Sequence, residues 1–397
     1  MFWNTARLRR ISIALLIAFA ASIAVGYSVD EEGRSLLKRG DFPGFYVLAK
    51  ILESHPAERL YDPHLQREIE NRYWPSFAGS FYMSVYPPYD AILLKPLALF
   101  SPQAAQLLFT IGMAAFYILS FFALAKINPS LRPQWLHIAV ICLCFAPNFY
   151  AIFGAQNTAL SMLLYSGAIY GSFRIGRKWE AVSGVCLGLW LFKPQFGLLA
   201  LATSLFTRRM ALLAGAALPA LIFYLMGSSL MGYLWPLNWW KAASGFAEQN
   251  LEANAQQMVS LPAAGKILMK IAGLGSDSIA AGGIIISCVV TGVLLWFLLG
   301  VWKDSRSSPE KFRRFLLLLG PGVVLVSPQT LFYDLGIALV SLIAVMDFKR
   351  NRDITELLLL CAAVLPITFF RESIAVPLFP LVALYIGAAV WTRTSSS

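Results

Sequence analysis

Asp41 lies in the stretch Arg39-Gly40-Asp41-Phe42-Pro43-Gly44-Phe45-Tyr46, a single carboxylate among glycines, a proline and aromatic rings. A carboxylate so placed can take the proton from a hydroxyl as that hydroxyl attacks. It can equally cap the amphipathic helix that the next residues predict. Lys193-Pro194-Gln195 puts an ammonium, a helix break and an amide in the middle of an apolar run. An ammonium near a bilayer centre costs roughly 2.5–3.5 kcal/mol on insertion scales, so a partner is expected. Lys193 therefore either holds an anion, a phosphate or a carboxylate, or snorkels to the surface beside Trp190. Gln195 adds a hydrogen-bonding side chain to the same apex.

Gly154-Ala155-Gln156-Asn157 offers two amides, each donor and acceptor at once, which suits sugar hydroxyls. Asn157 also stands where the next helix would take its N-cap. Tyr86-Pro87-Pro88-Tyr89 is a stiff aromatic turn. It either lines a path for lipid or sugar, or sets the angle at which the chain re-enters the membrane. Lys95 would approach an anionic head group or snorkel. Ser327-Pro328-Gln329 is followed by Tyr333-Asp334, where Asp334 either caps a helix or pairs with Lys193. Arg371-Glu372 reads as an ion pair in a turn, and Arg371 also suits a phosphate clamp. No Walker loop, dinucleotide fingerprint, Asp-x-Asp pair or zinc-ligand spacing occurs. No metal or other cofactor is expected.

The elements that must hold these groups are membrane helices. Of 397 residues, 58% are hydrophobic and only 13% are charged. Soluble proteins carry about 25% charged residues. The net charge of +11 is read as orientation rather than as nucleic-acid binding. Basic residues cluster at Arg7 to Arg10, Lys126/Arg132, Arg174 to Lys178, Arg208/Arg209, Lys303 to Arg314, Lys349 to Arg352 and Arg393. Placing all of them inside predicts spans near 11–27, 103–125, 134–150, 157–173, 210–230, 279–301, 315–328, 331–347, 355–370 and 374–391. That makes about ten crossings, with both termini cytoplasmic. Residues 181–206 have basic flanks at both ends, so they are expected to bend back as a short hairpin with Lys193 at its apex. The whole chain, 1–397, reads as one integral membrane domain with large outer loops at about 28–102 and 231–278. Surface-lying amphipathic helices are expected at 43–52 and 64–73, and the segment Leu234 to Trp240 is expected in the membrane interface. Every polar motif above falls on the outer side. The five cysteines all sit in apolar runs and read as packing.

The order Gly-Asp-Phe-x-x-Phe-Tyr, Leu60-Tyr61-Asp62, Tyr-Pro-Pro, Gly-x-Gln-Asn, Lys-Pro-Gln, Ser-Pro-x and Tyr-Asp resembles glycosyltransferase family 87, over about residues 10–345. The resemblance implies an all-α polytopic GT-C fold of about 10–12 transmembrane helices and half-helices. It implies a polyprenyl-phosphate sugar donor, mannose being the family's best-known case, and Asp41 as the catalytic base. Gly154-Ala155-Gln156-Asn157 carries one residue more than the commoner Gly-Gln-Asn. The acceptor would be a glycolipid or glycan at the outer face of the cytoplasmic membrane. Inversion follows from a single base with no glycosyl-enzyme intermediate. Donor and phosphate contacts would come from Lys193, Gln195, Gln156, Asn157, Arg371, Lys95, Tyr86, Tyr333 and Asp334. A multi-span transporter or lipid flippase is the competing class, and a cell-envelope scaffold is a third. Asp41 is expected to face one cavity with Lys193 and Gln156.

Overall fold

The computed structural model describes residues 3, 5–28, 40–75, 81, 83–205, 207–275, 308–371 and 378–395, with isolated positions between 282 and 293. Among these residues every regular element is helical, and one isolated bridge pairs Met258 with Leu331. The helices are α1 (Thr5–Ser28), α2 (Phe42–Ser54), α3 (Pro63–Tyr73), α4 (Pro88–Leu94), α5 (Pro102–Ala125) and α6 (Trp135–Ile141). Then come α7 (Ala146–Phe153), α8 (Thr158–Ser172), α9 (Arg177–Leu189), α10 (Pro194–Leu205), α11 (Met210–Met231) and α12 (Trp235–Ala253). The last are α13 (Leu261–Ile271), α14 (Pro309–Val326), α15 (Leu335–Val345), α16 (Asn351–Phe369) and α17 (Phe379–Ser395).

Proline sets many of the starts, because its missing N–H is not needed in a first turn. It opens α3, α4, α5, α10 and α14. Side-chain caps accompany several of them: Asp62 accepts from the His64 and Leu65 amides, and Ser101, Ser260 and Ser308 each accept from one amide of their helix.

By length and hydropathy, α5 and α11 can cross a membrane, and residues 132–153 make a third if their bent pair is one span. Both helices show apolar faces outward, with Leu107, Leu108 and Ile111 exposed on α5 and Leu218, Leu221 and Leu225 on α11. The expected span at 11–27 falls within the 24-residue helix α1, while those at 157–173, 315–328, 331–347, 355–370 and 374–391 do not meet that test. The helices α8 and α15 have 15 and 11 residues. Charges occupy the first turns of α14 and α16. The span expected at 279–301 lies almost wholly outside the described residues. The span expected at 134–150 is bent by 89°. Phe145 leaves the helical region (φ −70°, ψ 98°) ahead of Pro147, and Asn148 Nδ2 donates to the Cys142 carbonyl at 3.0 Å, satisfying an acceptor beside the break.

Two further expectations meet the structure differently. The helix at 63–73 is amphipathic as expected, burying Leu65, Gln66, Ile69 and Glu70. The helix at 42–54 does not lie on the surface: Phe42, Phe45, Tyr46, Val47, Leu48, Ala49 and Ile51 are all buried. Phe42 and Phe45 both pack on Phe109 of α5, at centroid distances of 5.6 and 5.3 Å. That apolar run is too continuous to leave a wet face.

The chain breaks where Lys193-Pro194 predicts. Lys193 takes φ −113° and ψ 87°, the extended region that a following proline enforces. Glycines let α9 lie directly on α11: a Cβ at Gly184, Gly188 or Gly215 would overlap a backbone carbonyl oxygen of the facing helix. Small residues four apart permit this contact. At the centre of the core, Pro321 interrupts the α14 ladder and Tyr165 of α8 repairs it. Its hydroxyl bonds the Leu316 and Leu317 carbonyls at 2.6 and 3.2 Å and accepts from the Gly320 amide at 2.9 Å.

The two large loops fold onto one another. Trp239 Nε1 donates to the Val85 carbonyl at 2.8 Å, beside the Tyr-Pro-Pro turn. On the other side of α12, Leu237 and Trp240 are exposed. The Val259 amide donates to the Thr330 carbonyl at 2.9 Å, so the second loop lies along the segment leading to Tyr333-Asp334.

Candidate active site

Three helix starts converge, and none uses its polar residue as a cap. Asp41 occupies the N-cap of α2, Asn157 that of α8 and Asp334 that of α15, and no side-chain capping bond forms at any of them. Asp62 and the three capping serines show what such residues do when nothing else claims them. Here other partners claim them.

Gly40 brings Asp41 to its neighbours. Its φ of +117° suits glycine, and a Cβ there would overlap the Gly154 carbonyl oxygen and stand 2.7 Å from the carbonyl carbon. The loop it meets closes α7 with a Schellman turn. The Gln156 amide donates to the Ala151 carbonyl at 2.9 Å and the Ala155 amide to that of Ile152 at 3.1 Å. Ala155 takes the left-handed position at φ 47°. This is the extra residue in Gly-x-Gln-Asn, and it is what turns Gln156 and Asn157 inward. The Gln156 side chain lies beside the Asp41 carboxylate and favours its ionised form, and Asn157 lies beside the Tyr86 hydroxyl. Tyr333 donates to Asp41 Oδ2 at 3.3 Å.

Lys193 lies in the same cluster. Its Nζ is 2.7 Å from Asp334 Oδ1, and the two side chains are 3% and 2% exposed. Thr158 donates to the same oxygen at 2.6 Å, and Lys193 reaches the Thr158 hydroxyl at 3.4 Å. Of the two readings of Asp334, pairing with Lys193 is the one the structure holds. The Lys193 ammonium also stands 5.3 and 5.7 Å from the Phe196 and Tyr333 ring centroids. Asp41 feels its positive charge and, more weakly, the negative charge of Asp334.

Burial pushes the Asp41 carboxyl above its ordinary value of 3.8, opposed by Gln156, Lys193 and Tyr333. Even so, the residue keeps part of its surface accessible. Asp90, at the end of the Tyr-Pro-Pro-Tyr turn, is fully buried and is pushed well above that value by burial alone.

The remaining expected residues sit differently. Arg371 lays its guanidinium against Tyr150 and Phe332, 5.4 and 5.3 Å from the ring centroids, and donates to the Thr368 carbonyl at 2.7 Å. Its neighbour Glu372 lies outside the described residues. Gln195 is half-buried in the first turn of α10 and Lys95 is exposed after α4. No hydrogen bond joins either to the Asp41 cluster.

One contributor escapes the sequence reading. Thr158 follows Gln156-Asn157 directly, so a third polar residue at that helix start was the available signal. Tyr89 donates to the Leu191 carbonyl at 2.7 Å and stacks on Phe223 at 4.5 Å, bracing the segment before Lys193. Among the described residues, no three His, Cys, Asp or Glu side chains gather.

Apolar helices surrounding a polar cluster of carboxylates, amides and a lysine define a helical membrane protein. The profile of glycosyltransferase family 87 matches residues 85–328, more than half of the chain. The chain belongs to that family, and the protein is a glycosyltransferase. The match takes in Tyr86, Gln156, Asn157 and Lys193, while Asp41 and Asp334 fall outside it. No curated protein and no solved structure matches.

Proposed function

We propose that the protein transfers a hexose, mannose in our reading, from a polyprenyl-phosphate donor to a glycolipid or glycan acceptor. The reaction runs at the outer face of the cytoplasmic membrane. The observation that carries this reading is the trio Asp41, Asn157 and Asp334. Each holds a cap position and turns its side chain away from its own helix to a shared cluster.

Asp41 is the base. As the acceptor oxygen bonds to the anomeric carbon, its proton passes to the Asp41 carboxylate. The bond from that carbon to the phosphate oxygen breaks, and the electron pair leaves with the polyprenyl phosphate. One displacement inverts the centre, so a β-linked donor gives an α-linked product. Tyr333 and Gln156 hold the Asp41 carboxylate for the incoming hydroxyl. Lys193, set by Asp334 and Thr158, supplies positive charge for the departing phosphate, and Arg371 is the second cation on that side.

The test is incubation of the purified protein with a panel of polyprenyl-phosphate hexoses and membrane lipid extract, with products read by mass spectrometry. Transfer of a hexose with inversion is expected. An Asp41→Asn protein that folds and retains full activity refutes the base. No transfer from any donor of the panel refutes the donor class.

A further inference from the structure

Gln156 and Asn157 each bury a carbonyl oxygen that has no hydrogen-bond partner. Gln156 lies beside the Asp41 carboxylate, toward which an amide turns its N–H group. Asn157 meets the Tyr86 hydroxyl. Gln156 Oε1 and Asn157 Oδ1 are buried and have no partner, on side chains of residues 5% and 6% exposed. A buried acceptor left unpaired destabilises the fold. Both amides stand just past one Schellman turn, so their backbone positions are fixed together. What completes them is a ligand that brings hydroxyl hydrogens.

Within the glycosyl-transfer reading, on which this rests, the donor sugar is that ligand. The acceptor needs only one hydroxyl beside Asp41. The donor ring must lie there whole, because its anomeric carbon is the atom attacked. We infer that Gln156 and Asn157 read the donor sugar as acceptors only, each carbonyl oxygen taking a hydrogen bond from a ring hydroxyl. An amide free to turn would recognise a hydroxyl either way round. Here the buried carbonyl oxygens are the ends left without partners, so the sugar must donate.

The experiment uses polyprenyl-phosphate mannose and its 2-, 3-, 4- and 6-monodeoxy and monodeoxyfluoro analogues, in competition binding to the full-length protein. Fluorine keeps a weak acceptor but cannot donate. At the one or two positions read, the deoxy and deoxyfluoro analogues are expected to bind equally poorly, about tenfold or more below the parent. Deoxyfluoro analogues that match the parent at every position overturn the inference and leave the transferase reading intact. Failure of the parent to bind overturns the donor assignment, and this inference with it. In Asn157→Ala the penalty at one position is expected to vanish. Persistence of every penalty in Asn157→Ala or Asn157→Ser overturns the assignment to Asn157.

Discussion

Lys193 and Asp334 form an ion pair with 2.7 Å between Nζ and Oδ1, and water reaches almost none of it. Removing one partner of such a pair leaves a charge with nowhere to go, which costs about 3–5 kcal/mol. Lys193→Met and Asp334→Leu are each expected to lower the melting temperature in detergent steeply. The double variant is expected to recover most of that stability without recovering transfer. A double variant no more stable than the singles would show that the pair is not what the fold depends on.

Gly40 tests the link between backbone and base. Gly40→Ala places a methyl group on the Gly154 carbonyl oxygen in a conformation that disfavours any side chain. A cost of about 2 kcal/mol is expected from the two effects. Activity is expected to fall more than stability, because Asp41 is the next residue. Parallel kinetics and thermal melts separate the two losses.

Asp41 carries a pH signature. Burial raises its pKa above 3.8, so the fold favours the protonated form. That contribution to stability is complete below pH 3.8 and is lost as the pH rises through the higher folded value. Asp41→Asn is therefore expected to melt at or above the wild-type temperature at neutral pH, with a flatter pH dependence. Base catalysis needs the ionised form, so the acidic limb of kcat/KM is expected above pH 3.8. A limb at or below that value would contradict the burial described.

Ala155 holds a left-handed position that glycine would hold without strain. Ala155→Gly is expected to keep activity and gain up to about 1 kcal/mol, less what the freer unfolded chain takes back. Ala155→Val is expected to lose stability and to misdirect Gln156, raising the donor KM. Equal behaviour of the two variants would show that the turn does not aim the amides.

Much of this site was legible in the sequence, because it is built from breaks. Pro194 marks the turn at Lys193, and Gly40, Gly154 and Pro87 mark the other approaches. What was not legible is where a side chain turns once it stands at a helix start. Asp41 and Asp62 look alike locally, each followed within two residues by a proline. Asp62 bonds its own helix, whereas Asp41 bonds Tyr333, 292 residues away. That choice is made by tertiary partners. The bend at Phe145 was missed for a similar reason. Pro147 permits a break, but Asn148 and its bond to Cys142 settle the path. The burial of α2 was missed because its aromatics read equally well as interface anchors.

The Lys193–Asp334 pair also fixes when this molecule becomes complete. The two residues are separated by 141 positions. At about 5–20 residues per second, Lys193 enters the nascent chain roughly 7–28 s before its counter-ion exists. For that interval the half-built protein holds an unmatched charge among apolar helices. Only arrival of the segment bearing Tyr333 and Asp334 closes the cluster, and it supplies the hydroxyl for Asp41 at the same moment. A chain truncated before Tyr333 and Asp334 would keep the Lys193 charge unmatched and leave Asp41 without the Tyr333 hydroxyl.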